Sequence, residues 1–217
     1  MGDLVTTVQR FNRVYRQRIA QIDESFPGSG RSIEFDRRSD DLAVRIVEPL
    51  SVRQRTALCD AMATADRLLC AATATFHAVD PGSPDARWAL GQYYAELNER
   101  FPTGFDPGDP PPPTLFVVVQ TDGQTIGCGG VQTVDENTGE IKRMWVAEEF
   151  RGSGIGHRLL HHLEQLVRDL GCGRVVLDTN AVLTDAIAMY ERSGYLAIER
   201  YNDNPYAMHW FEKSLRP

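Results

Sequence analysis

The sequence predicts an α/β (α+β) fold preceded by an N-terminal helical arm. Three observations support this prediction. Apolar residues before position 71 recur at helical spacing, strand and helix signals alternate after it, and a glycine-rich turn joins a strand to an amphipathic helix. Hydrophobic residues make up 42% of the 217 residues and charged residues 24%, which is typical of a globular protein that can form a substantial core.

The segment before residue 71 is predicted to be helical. Apolar side chains recur every three or four residues between Leu4 and Ile22, and Pro and Gly at 27–30 end that helix. A second helix is expected at 37–47. A third begins at Ser51, with Gln54 three residues later in a capping-box pattern. These amphipathic helices must pack on one another, on the following domain or on a second copy of the chain. Because the helical spacing gives way to alternating strand and helix signals near residue 71, we divide the chain into 1–70 and 71–217.

Strand and helix signals alternate through the second domain. Strands are expected at 73–79, 115–119, 125–134, 140–146, 174–179, 195–200 and 206–213. Helices are expected at 85–100, 151–170 and 184–193. The proline-rich residues 106–113 are expected to form an irregular loop, and Asp122-Gly123 predicts a tight hairpin turn.

The strongest motif is the turn Arg151-Gly152-Ser153-Gly154-Ile155-Gly156, which follows a strand and opens a helix. Glycines allow close backbone approach, and the free N–H groups of a first helical turn suit a pyrophosphate. The P-loop ending Gly-Lys-Ser/Thr is absent, and His157 stands where a dinucleotide-binding GxGxxG motif needs its third glycine. Taken alone, the motif is equally compatible with a plain strand-to-helix connection.

Residues 140–195 resemble the core of the GNAT superfamily of acyl-CoA N-acyltransferases. In that family, a strand leads into an Arg/Gln-x-x-Gly-x-Gly/Ala turn and a helix. A second strand, a short helix ending in tyrosine, and a Gly–aromatic pair follow. Here these are residues 151–156, 175–179, 186–190 and Gly194-Tyr195. The resemblance implies a GNAT fold, with a central mixed, mostly antiparallel, splayed sheet flanked by helices.

The resemblance implies an N-acetyltransferase that carries an acetyl group from acetyl-CoA, its co-substrate, to a primary amine by direct attack in a ternary complex, with no metal. The turn amides would hold the CoA pyrophosphate, and the splayed strand would pair with pantetheine. The cofactor-binding candidates are Met144, Trp145, Val146, Arg151, Gly152, Ser153, Gly154, Ile155 and Gly156. The family's asparagine seven residues before the tyrosine is Leu183 here, so Asn180 is the candidate for that contact.

The same resemblance suggests catalytic and acceptor-binding residues. Tyr190 matches the usual general acid, which would protonate the departing CoA thiolate, although a core tyrosine is the alternative. Glu140 is the leading candidate for the base, and a solvated edge carboxylate is its alternative. Asn204, Tyr206 and His209 would lie beside the acceptor pocket, and His209 is a second candidate base. An ordinary hairpin turn explains that stretch equally well.

The N-terminal segment resembles the dimerisation helices of MarR-type regulators fused to GNAT domains. Residues 8–25 resemble the first helix of that module, and residues 36–69 resemble its last helices. The winged helix-turn-helix that would lie between them is missing. The resemblance implies a dimerisation or docking arm, so a homodimer is expected.

Composition narrows the function classes. A net charge of −7 makes DNA an improbable partner. The four cysteines show no zinc-site spacing, and neither a signal core nor a membrane-spanning apolar run is visible, so we expect a cytoplasmic protein. Two alternatives to the enzyme stay open: a remnant of a MarR-like transcriptional regulator, and a CoA-binding sensor without turnover. The resemblance implies a small-molecule or protein amine as acceptor, and the sequence leaves its identity and the preferred acyl length undetermined.

Overall fold

The computed structural model describes residues 49–108 and 112–216, so the helices predicted at 4–22 and 37–47 lie outside the described residues. The chain divides into two compact units, Met1–Thr73 and Ala74–Pro217. The described part of the first unit contains helix α1, Val52–Thr73. The predicted capping box is confirmed, because the Ser51 N–H donates to Gln54 Oε1 at 2.9 Å and the Gln54 N–H donates to Ser51 Oγ at 3.3 Å.

The second unit contains seven strands and three α-helices in its described part. The strands are β1 (Thr75–Val79), β2 (Leu115–Thr121), β3 (Gln124–Asp135), β4 (Thr138–Val146), β5 (Arg174–Thr179), β6 (Leu196–Ile198) and β7 (His209–Ser214). The helices are α2 (Pro84–Arg100), α3 (Ile155–Asp169) and α4 (Thr184–Arg192), with a short 3₁₀ turn at Glu148–Phe150. The described residues of the proline-rich segment are irregular, as predicted. None of the helices in the described ranges is long and apolar enough to cross a bilayer.

The strands form one mixed sheet in the order β1-β2-β3-β4-β5-β7-β6. All neighbouring pairs are antiparallel except β4 and β5, which are parallel. The β2–β3 hairpin turns at Asp122 and Gly123, whose φ angles of 50° and 73° match a tight primed turn. The prediction of a mixed, mostly antiparallel sheet flanked by helices is confirmed.

The sheet splays between its two parallel strands. Pairing runs only from Thr138 to Glu140 on β4 and from Arg174 to Val176 on β5. Beyond those residues the two strands continue without pairing, while β4 stays bonded to β3 and β5 stays bonded to β7. The separation opens a cleft toward the carboxyl ends of β4 and β5.

Helix α3 packs closely on one face of the sheet because two glycines leave room for it. A Cβ atom on Gly129 would lie 2.6 Å from Leu163 Cδ1, and one on Gly139 would lie 2.7 Å from Val167 Cγ1. The helix buries an apolar stripe consisting of Ile155, Leu159, Leu160, Leu163 and Val167. This close packing holds the start of α3 against the carboxyl end of β4.

Helix α2 packs on the opposite face of the sheet. Ser83 caps it, since the Ser83 Oγ accepts from the Ala86 N–H at 3.3 Å, and Pro84 occupies the first helical turn. Its buried alanines join a core cluster with Phe116, Val118, Cys128 and Trp145. Helix α2 therefore lies beside the carboxyl-terminal end of β4 and the cleft.

Candidate active site

The glycine-rich turn is placed at the amino end of α3. Gly152 and Gly154 adopt left-handed conformations with φ angles of 73° and 89°, which favour glycine. Because of these conformations the helix begins at Ile155, so the predicted start at residue 151 is wrong by four residues. The first intrahelical bond runs from the Arg158 N–H to the Gly154 carbonyl, so the N–H groups at 155–157 have no partner within the helix. The first turn contains no acidic residue, which leaves its positive end uncompensated.

Arg151, the first residue of the turn, is anchored to two elements. Its Nε donates to the Val146 carbonyl at 2.9 Å, and its guanidinium forms an ion pair with Glu96 on α2. The Ser153 hydroxyl donates to the Phe150 carbonyl at 2.5 Å. The turn is therefore fixed to the end of β4 and to the helix that borders the cleft.

Glu96 joins several parts of the site. Its Oε2 also accepts from the Trp145 indole at 2.9 Å, and its Oε1 accepts from Arg100 at 3.0 Å. Arg100 in turn donates to the Val182 carbonyl at 3.0 Å, in the segment between β5 and α4. Burial acts to raise the pKa of Glu96, but hydrogen bonds from Arg151, Arg100 and Trp145 outweigh it and lower the pKa. Glu96 therefore links β4, the glycine turn and the far side of the cleft.

A β-bulge interrupts β4 where the cleft opens. The register shifts between Cys128 and Gly130 on β3, and Arg143 within the bulge has a φ of 55°. Met144 follows the bulge and lines the cavity described next. Trp145 and Val146 are buried instead. Of the three predicted pantetheine-strand residues, only Met144 exposes its side chain to the cavity.

A cavity of about 530 Å³ fills the cleft between β4 and β5. Its walls come from α2, the loop after it, β4, β5, α4 and the segment before β7. Aromatic rings form much of this wall: Tyr93, Tyr94, Phe101, Phe105, Tyr190 and Tyr206. Charged lining residues include Lys142, Arg143 and Asp178. The cavity combines an apolar wall with a few polar groups, as ligand sites commonly do.

Tyr190 lies in this cavity at the last turn of α4. Only 7% of the residue is exposed. Burial, followed by the negative charge of Asp178, raises the pKa of Tyr190 above its usual range. The phenol therefore stays protonated over the physiological pH range and is available as a proton donor.

Glu140 is buried outside the cavity lining. It is 3% exposed, and its Oε1 accepts from the Tyr201 hydroxyl at 2.8 Å and from Asn202 at 3.3 Å. Its Oε2 accepts from Gln132 at 2.6 Å and pairs with Lys142 at 3.2 Å. The alternative of a solvated edge carboxylate is therefore wrong. Its role as the base stays a prediction, and its four donors suit a buried anchor.

The remaining predicted residues occupy different places. Asn204 and Tyr206 line the cavity, and so does Asn180. The Asn180 amide donates to the Tyr206 carbonyl at 2.7 Å, and its oxygen accepts from the Val182 N–H at 3.0 Å, so it shapes the rim. His209 is exposed and absent from the cavity lining, and its ring stacks on Phe211 with centroids 6.3 Å apart. The structure thus brings Asn204, Tyr206 and Asn180 together with Tyr190 and leaves His209 apart.

Two residues of this site were missed by the sequence reasoning. Glu96 gave no local signal for its link to the glycine turn and β4, because Trp145 and Arg151 are 49 and 55 residues away in the chain. Asp178 did carry a signal, since it is a single carboxylate ending the apolar run Val175-Val176-Leu177. Among the described residues, no group of three or more His, Cys, Asp or Glu side chains is arranged to hold a metal.

Comparison with known proteins gives a consistent result. Residues 80–195 match the acetyltransferase (GNAT) family. An IAA acetyltransferase from Azospirillum brasilense is 35% identical over 85 residues, which cover 39% of this chain and 56% of that protein. The chain spans about half the length of the curated relatives it matches.

Solved structures share the fold. A GNAT-family acetyltransferase from Staphylococcus aureus MU50 superposes with a TM-score of 0.59 at 15% identity, covering 66% of this chain and 100% of that one. An N-acetylglutamate synthase from Neisseria gonorrhoeae, solved in complex with coenzyme A and N-acetyl-glutamate, gives a TM-score of 0.53 at 18% identity, covering 66% of this chain and 35% of that one. At these identities the likeness concerns the fold alone.

Proposed function

The chain belongs to the acetyltransferase (GNAT) family, and we propose that it transfers an acetyl group from acetyl-CoA to a primary amine by direct attack in a ternary complex. The proposal rests on the separation of β4 from β5, which opens a cleft. The glycine turn before α3 follows the end of β4, and Tyr190 lines the cavity in the cleft. The match to the family extends over both strands, the turn and α4.

The glycine turn supplies the pyrophosphate site. Left-handed Gly152 and Gly154 bring the backbone to the surface, and the unpartnered N–H groups at the start of α3 suit an anion. Arg151 is tied to Glu96 and Val146, so we assign it a positioning role rather than a direct ion pair with phosphate. The backbone of this turn, more than its side chains, would bind the CoA diphosphate.

The carboxyl-terminal end of β4, residues 144–146, supplies the pantetheine site. Trp145 and Val146 pair with β3 on one side, and no β4 residue beyond Glu140 pairs with β5 on the cleft side. Their backbone groups can therefore pair with the amides of pantetheine, in the way an added strand pairs with a sheet edge. A backbone N–H on the cleft side of this segment could also stabilise the oxyanion of a tetrahedral intermediate.

Tyr190 is the proposed general acid. In the reaction, the amine nitrogen forms a bond to the acetyl carbon while the bond from that carbon to sulfur breaks. The sulfur leaves as a thiolate and takes a proton from the phenol, which its buried environment keeps protonated. The nitrogen releases its extra proton to a base or to water in the cavity.

In this proposal Glu140 is a positioning residue that holds the Asn202 side chain beside Asp178. Its carboxylate receives the Asn202 amide, and the same amide nitrogen donates to Asp178 at 2.5 Å. Glu140 is thereby connected to the cavity through one side chain. Removal of its charge would release Asn202 and disturb the carboxylate that faces the cavity.

The proposal is tested by titrating acetyl-CoA calorimetrically and measuring thiol release against a panel of amines. We expect micromolar binding and release of free CoA with at least one class of amine. Tyr190→Phe should retain acetyl-CoA binding and lower kcat about 10²- to 10⁴-fold, because only the proton donor is lost. The half-buried Tyr201 is unsuitable for a control Tyr→Phe exchange, because its hydroxyl donates to Glu140, whereas Phe150→Tyr lies outside the cavity lining. Absence of acetyl-CoA binding by the wild-type chain would refute the proposal.

A further inference from the structure

A carboxylate at the end of β5 faces the cavity. Asp178 lies two residues beyond Val176, the last β5 residue that pairs with β4. It is half-buried, and it lines the cavity together with Tyr190. The strand positions this carboxylate on the cleft side of the splay.

The Asp178 side chain is held in place by amides. The Asn202 Nδ2 donates to Oδ2 at 2.5 Å, and the Asn204 Nδ2 donates to Oδ1 at 2.8 Å. The Trp210 indole donates to the Asn202 oxygen at 3.0 Å, which orients the Asn202 amide with its NH₂ group toward the carboxylate. In the described part of the chain, no Lys, Arg or His side chain forms an ion pair with Asp178. The carboxylate is therefore pre-oriented, and its hydrogen-bond donors among the described residues are neutral amides.

The cavity wall near this carboxylate is aromatic. The Phe105 and Tyr206 ring centroids are 4.8 Å apart, and the Phe101 ring lies 5.7 Å from each of them. Tyr94 adds a fourth ring, 5.7 Å from Phe105. Tyr206 also accepts from the Asp106 N–H at 3.0 Å, so the loop after α2 is tied to this cluster. Such a wall offers flat apolar surface to a planar ligand and negative ring faces to a cation.

Asp178 also lies close enough to affect the catalytic end of the cavity. The pKa of Tyr190 is raised by burial and then by the Asp178 charge, and Asp178 contributes as well to the raised pKa of Tyr93. Both residues line the cavity, so a cation bound at Asp178 would share it with the proposed proton donor.

We propose that Asp178 binds the ammonium group of the acceptor, which loses one proton to water in the cavity before its nitrogen attacks, and that the acceptor is an amine carried on a flat aromatic body, such as an arylalkylamine. The inference rests on the proposed acetyl transfer at the same cavity. Amines that also bear a carboxylate are disfavoured, because their carboxylate would enter a cavity whose half-buried Asp178 is negative. An amino acid acceptor is the competing outcome, since Lys142 and Arg143 also line the cavity.

The probes are 2-phenylethylamine, n-butylamine and phenylalanine, tested with wild-type protein, Asp178→Asn and a control, Asp185→Asn. Asp185 is exposed in the first turn of α4 and is absent from the cavity lining. We expect wild-type kcat/KM to rank 2-phenylethylamine first. Asp178→Asn should raise KM for that amine about tenfold or more, with KM for acetyl-CoA within twofold, because a bond to a charged group is lost. Asp185→Asn should stay within twofold of wild type for both.

Two outcomes would overturn the inference: equal effects of Asp178→Asn and Asp185→Asn on the amine KM, or a wild-type preference for phenylalanine over 2-phenylethylamine. Calorimetric binding of 2-phenylethylamine without co-substrate provides a second readout that needs no turnover. Loss of that binding in Asp178→Asn, with unchanged thermal unfolding, would support the inference even if acetyl transfer failed. Conversely, acetyl-CoA binding and thiol release that do not depend on Asp178 would leave the proposed function standing and refute this assignment.

Discussion

Replacing Glu96 by Gln should weaken acetyl-CoA binding, although Glu96 is absent from the cavity lining. The carboxylate accepts hydrogen bonds from Arg151, Arg100 and Trp145. Glutamine has nearly the same shape but no charge and only one acceptor oxygen, so at least one of these donors loses its partner. If that donor is Arg151, its remaining side-chain anchor is the hydrogen bond to the Val146 carbonyl.

The expected cost follows from the type of bond. A hydrogen bond to a charged group contributes about 1.5–3 kcal/mol, and a neutral one about 0.5–1.5 kcal/mol. The Arg151 side chain is 36% exposed and that of Glu96 is 23% exposed, so solvent screening reduces the difference. We expect a loss of about 1–2 kcal/mol, which corresponds to a Kd for acetyl-CoA raised about 5- to 30-fold if the turn must be re-ordered on binding.

Isothermal titration of acetyl-CoA measures this effect, with Glu99→Gln as the matched control. Glu99 lies on the same helix, is exposed, and carries the same charge. Its replacement should leave the Kd within twofold. An unchanged Kd in Glu96→Gln, with the fold intact by circular dichroism, would refute the role assigned to Glu96.

The same substitution has a defined pH dependence. The folded-state pKa of Glu96 is lowered, so its contribution to stability is present above the unfolded glutamate value, about 4.3, and is lost as pH falls through the folded value. The difference in unfolding free energy between wild type and Glu96→Gln should therefore be constant at neutral pH and shrink below about pH 4. A difference that grows on acidification would contradict the lowered pKa.

Three further predictions concern the turn, the core and the assembly. Gly154→Ala should destabilise the fold by about 1–2 kcal/mol because the φ angle of Gly154 is 89°. Gly91→Ala in α2, where an added Cβ meets no atom within 4 Å, should stabilise the fold by about 0.5–1 kcal/mol. Equal urea midpoints for the two variants would contradict both expectations. Lys213→Met should lower the free energy of unfolding by about 3–5 kcal/mol, because Lys213 donates to both oxygens of Glu164 at 2.8 and 3.0 Å and the Glu164 side chain is only 2% exposed. A loss below about 1 kcal/mol in urea unfolding would contradict this pairing. Finally, the intact chain should be a dimer by light scattering at micromolar concentration, and a monomer there would refute the dimerisation arm.

Local patterns in the sequence predicted most of the elements of the second unit. Apolar alternation located the strands, the Asp122-Gly123 pair located a hairpin, and Ser51 with Gln54 predicted the cap of α1. These signals are reliable because turn geometry, capping and strand pleat depend on residues close together in the chain. The glycine turn was likewise visible as a motif, and its placement at the start of α3 is confirmed.

Boundaries and partnerships depended on the tertiary structure. The start of α3 moved to Ile155 because Gly152 and Gly154 take left-handed conformations, which sequence permits but does not require. The environment of Glu140 and the distance of His209 from the cavity follow from how β4, β7 and the segment between β6 and β7 come together.

The linkage through Glu96 and the carboxylate of Asp178 were decided at still longer range. Their partners are separated from them by between 24 and 55 residues, apart from the Glu96–Arg100 pair within one helix turn. The composition and periodicity of a chain specify which surfaces are buried. Which donor meets which carboxylate is set only when the sheet splays and the helices pack on its two faces, because hydrogen bonds are directional and short.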